Sequence, residues 1–164
     1  MTPTAEMTLG PFFPREFAEG ANDLAKGAAG ELIEITGRVV ELDERPLDNL
    51  VLEIWQADAN GRYDNPGFLG WGRAATDAQG NYRFRTIRPG ASGARAPHIN
   101  FLLLYSGLMR HLQTVLFFEA SADPVLDAVE QSRRALLIAR SAGPGSYRFD
   151  IRLRGADETP FFDD

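Results

Sequence analysis

The sequence predicts a mainly β chain built as an antiparallel β-sandwich, with an N-terminal arm and one helix near residues 124–140. Three observations predict it. Short segments rich in β-branched residues alternate apolar and polar positions, the period of a strand with one buried face. Gly/Pro-rich turns separate these segments, and many short strands so punctuated point to a sandwich. Only Pro124–Arg140 carries apolar residues at helical spacing. With 164 residues and 44% apolar content the chain is large enough for one real core.

Residues 1–30 read as the arm. "TLGPFFP" and "GANDLAKGAAG" hold glycine, proline and small polar residues, with room for a short helical turn. Docking of the rings of Phe12, Phe13 and Phe17 would bury a large apolar area. Residues 31–164 form the sandwich. Glu31–Glu41 ("ELIEITGRVVE") and Leu50–Ala57 ("LVLEIWQA") read as strands around a polar turn containing Pro46. "DANGRYDNPGFLGWGRA" reads as one long glycine-rich loop. After a turn at Ala78–Gly80 comes a strand that puts Tyr82, Phe84 and Thr86 on one face and Arg83 and Arg85 on the other. "RPGASGARAP" is a second loop. His98–Tyr105 and Gln113–Glu119 read as strands joined through Gly107. In Pro124–Arg140, Val125, Leu126, Val129, Leu136 and Leu137 predict a single helix over the domain, with Asp123 as its cap. Ser146–Arg154 alternates, with Tyr147, Phe149, Ile151 and Leu153 inward.

Composition excludes several functions. Net charge is −6 and no Lys/Arg cluster stands out, so no nucleic-acid partner is expected. No apolar run approaches the ~18 residues of a membrane span, and Met1–Gly10 lacks the basic start and apolar stretch of a signal peptide. A cytoplasmic location is the expectation. There is no cysteine, hence no disulfide, thiolate nucleophile or Cys-ligated metal. His98 and His111 are the only histidines, so a histidine-rich metal site within one chain is excluded.

Chemistry is expected where the loop after the second strand, carrying Tyr63, meets the loop that enters the His98 strand. His98 and Asn100 lie two apart and share a strand face. His-x-His there would start a metal site. His-x-Asn is either a damaged one or an ordinary hydrogen-bonded pair. Trp55 and Trp71 read as core or loop packing.

"GRVVELDERPLDNLVLEIWQADANGRYDNP", "GRAATDAQGNYRFRTIRPG" and "RAPHINF", in that order, resemble the intradiol ring-cleaving dioxygenases over nearly the whole chain. The start "MTLGPFFP" and the end "YRFDIRLRGADETPFFDD" resemble the non-catalytic α-type chains of that family. The resemblance implies the intradiol fold and non-haem Fe(III) held by two tyrosines and two histidines, with a catecholic substrate attacked by O2. Tyr63 and His98 match the first tyrosine and the first histidine. Ser92 stands at the second tyrosine position and Asn100 at the second histidine position. Two ligands of four are missing, so no metal is expected in this chain and none of its residues is expected to be catalytic. Arg95 falls where the family has an arginine that polarises substrate.

Tyr63, Ser92, Arg95, His98 and Asn100 therefore outline a vestigial pocket. The resemblance further implies Fe(III) in a homologous β partner, assembly into a larger (αβ)n oligomer, and a small aromatic substrate. Thr8, Gly10 and Pro11 would line the partner's cleft. Two other functions stay open: a self-sufficient dioxygenase with atypical ligands, and an iron-free module that binds an aromatic ligand.

Overall fold

The computed structural model describes residues 20–162. Thr8, Gly10 and Pro11 lie outside the described residues. Among the described residues nine strands form two sheets: β1 Leu32–Val40, β2 Val51–Gln56, β3 Trp71–Ala75, β4 Asn81–Ile87, β5 His98–Leu104, β6 Leu112–Phe117, β7 Arg140–Gly143, β8 Ser146–Arg148 and β9 Ile151–Arg152. One sheet runs β4-β1-β8-β7 with β9 also paired to β1, and the other runs β3-β2-β5-β6. The second is wholly antiparallel. The first is mixed, because β8 and β9 run parallel to β1.

The alternation seen in the sequence is what buries the core. Ile33 and Ile35 of β1, Tyr82 and Phe84 of β4, and Phe149 face Leu52 and Ile54 of β2 and Ile99, Phe101 and Leu103 of β5. Phe101 sits at the centre, edge-on to Phe84 at 6.1 Å and tilted against Phe149 at 5.4 Å. Such ring pairs add ~0.5–1.5 kcal/mol each beyond their buried area. A smaller cluster of Val115, Phe117, Leu126 and Leu137 covers the outer face of β6.

Four elements differ from the sequence expectation. The single helix over 124–140 is instead a short α-helix, α1 Pro124–Ala128, followed by a 3-10 turn over Gln131–Leu137. β-Branched Val129 goes extended after α1 (ψ 140°), and the bend lets Ile138 bridge to Phe117. The glycine-rich loop contains β3, an edge strand recruited by β2 through Ile54↔Gly72 and Trp55↔Trp71. Arg140, read as the helix end, begins β7. The strand expected over 146–154 is broken between β8 and β9, because the Asp150 carboxylate takes the Arg38 amide (3.0 Å) and the Phe149 carbonyl accepts the buried Tyr82 hydroxyl. The arm's last residues carry no helix. They pair along both sheets, with the Leu24 amide donating to the Arg85 carbonyl (2.8 Å) and the Arg73 amide to the Ala21 carbonyl (2.9 Å).

Candidate functional site

Two loops leave the same end of the sandwich, 57–70 after β2 and 88–97 before β5. Asp58 organises the first. Its buried carboxylate accepts the amides of Asn60 (2.8 Å) and Arg62 (2.9 Å) and the side chain of Asn65 (2.7 Å). Those bonds, led by the Arg62 amide, hold it below the usual carboxylate range. The spacing Asp58, Asn60, Arg62, Asn65 is the sequence signal for such an Asx-type turn, beyond the residues singled out above. The Asp58 carbonyl also accepts the amides of Gly61 (3.0 Å) and Gly90 (2.9 Å), so one residue ties both loops together. Gly61 adopts φ +79°, and a Cβ there would strike the Ala91 carbonyl. A Cβ on Gly90 would strike the Ala59 carbonyl. Glycine at both places permits this approach of backbone to backbone.

The approach brings Tyr63 over the start of β5. His98 is buried at 4% exposure. Its Nδ1 lies 2.7 Å from the Ala96 carbonyl, which makes Nδ1 the protonated nitrogen. Nε2 is then an acceptor, and the Tyr63 hydroxyl donates to it at 3.3 Å. Burial pushes the His98 pKa down, reinforced by the Arg95 charge and opposed by the Ala96 carbonyl and Asp123. Burial pushes the Tyr63 phenol up, against the pull of Arg95 and a hydrogen bond from Asn100. Both groups are neutral near pH 7. Asn100 also donates its amide to the Trp55 carbonyl at 3.2 Å. Trp55 stacks on Tyr63 at 6.0 Å and 14° between planes. At 42% exposure Trp55 lies outside the core and packs on the loop, the second of the two places the sequence offered for it. Trp71, half-buried, lies under the Arg73 guanidinium at 5.2 Å.

Arg95 is fixed from the other side. Its Nε donates to the Asp123 carboxylate at 2.8 Å, and the same carboxylate accepts the amides of Ala96 (2.9 Å), Val125 (2.8 Å) and Leu126 (3.3 Å). Asp123 thus caps α1, as its place before Pro124 suggests, and also pins Arg95 beside the site. Ser92 joins only through the main chain, exchanging amide–carbonyl bonds with Arg95 at 3.0 and 2.9 Å. The five expected residues lie in one neighbourhood, but only Tyr63, His98 and Asn100 share side-chain contacts. His111 bonds with Gln113 at the opposite end of the β5–β6 hairpin.

The residues present do not fit a ferric centre of two phenolates and two imidazoles. Ser92 brings no phenolate and Asn100 brings a neutral amide already donated to the Trp55 carbonyl. Tyr63 and His98 satisfy each other, beside a cationic Arg95. Among the described residues no three His, Cys, Asp or Glu side chains cluster to hold a metal, and no helix is long and apolar enough to cross a membrane.

A family model described as Dioxygenase matches residues 9–155. The protocatechuate 3,4-dioxygenase α chain of Burkholderia cepacia is 35% identical over 190 aligned residues, covering 98% of this chain and 96% of its own length. The β chain from the same organism is 36% identical over 173, covering 85% and 74%. The dioxygenase domain of a dioxygenase–carbohydrate-binding fusion from Streptomyces sp. SirexAA-E superposes with a TM-score of 0.68 at 32% identity, covering 94% of this chain and 100% of that one. This chain belongs to the intradiol ring-cleaving dioxygenase family, which is generally iron-dependent. Its relatives include both subunit types of one enzyme.

Proposed function

We propose that this chain is the non-catalytic α subunit of a protocatechuate 3,4-dioxygenase, which opens protocatechuate with O2 to 3-carboxy-cis,cis-muconate in aromatic catabolism. Fe(III) and the full Tyr/Tyr/His/His set belong to a homologous β chain. The two chains form an (αβ)n assembly in the cytoplasm. One observation carries the reading: serine and asparagine occupy two of the four ligand positions, while Tyr63 and His98 are hydrogen-bonded to each other. Full-length similarity to an α chain supports it. Tyr63, Ser92, Arg95, His98 and Asn100 are on this reading an inherited shell rather than a working centre. Thr8, Gly10 and Pro11 form part of the partner's cleft wall; Pro11 fixes φ and Gly10 allows close backbone approach.

Metal analysis tests it. The purified chain, refolded or expressed with excess iron, should hold far less than one iron per chain and lack the burgundy tyrosinate-to-iron absorption. Coexpression with a family member carrying all four ligands should give a coloured complex containing both chains. Near-stoichiometric iron and visible colour from this chain alone would instead mean a self-sufficient enzyme.

A further inference from the structure

The end of the sandwich opposite the loop site holds a second concavity. It lies beneath the β5–β6 turn and has a volume of about 380 Å³, within the range of small-molecule sites. Its floor is apolar: Leu47 is fully buried, and Leu108, Leu112 and Leu153 pack around it. Its polar lining is Glu41, Ser106, Tyr105 and Arg154, and the last two supply a hydroxyl and a guanidinium.

The state of those two groups sets this pocket apart. Tyr63, Tyr82 and Tyr147 each spend their hydroxyl on a partner: His98, the Phe149 carbonyl and Arg88. Among the described residues Tyr105 is the one tyrosine whose hydroxyl has no hydrogen bond. Arginines elsewhere are engaged likewise, for example Arg95 with Asp123, Arg134 with Asp127 and Arg148 with Asp150. Among the described residues Arg154 is the one arginine with neither a hydrogen bond nor an ion pair. Both unspent donors line the same leucine-floored pocket. Glu41, the acid in the lining, is already ion-paired with Arg45.

We propose that this pocket binds a small organic carboxylate with an apolar body, an aromatic or branched monoacid. The body would sit on the leucines, and the carboxylate would accept hydrogen bonds from Arg154 and the Tyr105 hydroxyl. An apolar floor with few convergent donors is the pattern of a specific ligand site, and a guanidinium fork matches carboxylate geometry. This inference is independent of the iron and of the α-subunit reading, since it uses no residue of the loop site.

Calorimetric titration of the full-length chain with benzoate, and with neutral benzamide as its isostere, tests the proposal. Benzoate should bind saturably and benzamide should not. Arg154→Gln, at an exposed position, should weaken benzoate by about ten-fold or more, the size of a lost charge-assisted hydrogen bond. Tyr105→Phe should weaken it several-fold, and Leu108→Trp, which fills the pocket, should abolish it. No saturable heat with benzoate would overturn the proposal. So would equal affinity in wild type and Arg154→Gln, or loss of binding in Arg95→Gln alone, which would put the ligand at the loop site.

Discussion

Replacing Asp123 by alanine removes a single carboxylate and strands four donors. Its side chain is fully buried, and it receives Arg95 Nε and the amides of Ala96, Val125 and Leu126. Loss of an N-cap acceptor costs about 1 kcal/mol. Loss of the partner of a buried charge costs ~3–5 kcal/mol, but the Arg95 side chain keeps 26% of its exposure and is partly hydrated, which favours the lower end. The sum is about 3–4 kcal/mol. For a domain of this size each kcal/mol moves Tm by ~2–4 °C, so Asp123→Ala should melt about 10 °C below wild type in a calorimetric scan at pH 7. Asp123→Asn keeps an oxygen for the cap and loses the charge, and should fall between the two. Burial raises the Asp123 pKa, but Arg95 and the three amides outweigh it and the net shift is downward. Its contribution is therefore present above the unfolded carboxylate pKa of about 3.9 and lost as pH drops through the folded value. The alanine variant should lose less stability than wild type between pH 5 and pH 3. A Tm within about 2 °C of wild type at pH 7 would show that water replaces the carboxylate, and would refute the reasoning.

Two other outcomes are expected. His98 prefers its neutral form in the fold; above pH ~6.5 folded and unfolded imidazoles are both neutral, and below it only the unfolded chain readily takes the proton, so stability falls on acidification. The loss of Tm between pH 7.5 and 5.5 should be smaller in His98→Gln, and identical slopes would exclude His98 as the cause. In a complex with an iron-bearing β chain, Gly10→Val should leave iron content and complex mass intact while kcat/KM for protocatechuate drops about 10- to 100-fold; unchanged kinetics would make the arm a docking device only.

The strands were legible wherever one face is core and the other solvent, as in β4 with its alternating Arg83, Phe84 and Arg85. Legibility failed where a tertiary partner overrides local preference. β3 looks like loop because Gly70, Gly72 and small alanines carry little strand signal, and pairing with β2 supplies it. The residues 125–137 keep helical spacing, but the groove over β6 selects two short pieces. Alternation from Tyr147 to Leu153 cannot reveal that the Asp150 side chain takes over a ladder acceptor. At the site, the residue types at 63, 92, 98 and 100 announced the incomplete donor set. What stayed hidden were contacts between distant segments: Asp58 to Gly90, Arg95 to Asp123, and Trp55 over Tyr63.

The contact of Gly61 with Ala91, and of Gly90 with Ala59, joins main chain to main chain. It makes no reference to the side chains at 63, 92, 98 or 100. Shape and donor set are therefore separable properties of this scaffold. In folds nucleated by a metal, losing ligands means losing structure. Here the loops keep their aim whichever groups they carry, so a duplicate of such a chain can exchange tyrosine for serine and histidine for asparagine at little cost to folding. The same shell then remains available as a rigid surface for a neighbour, and the positions open to drift are those that match the family's ligand positions rather than those that hold the loops.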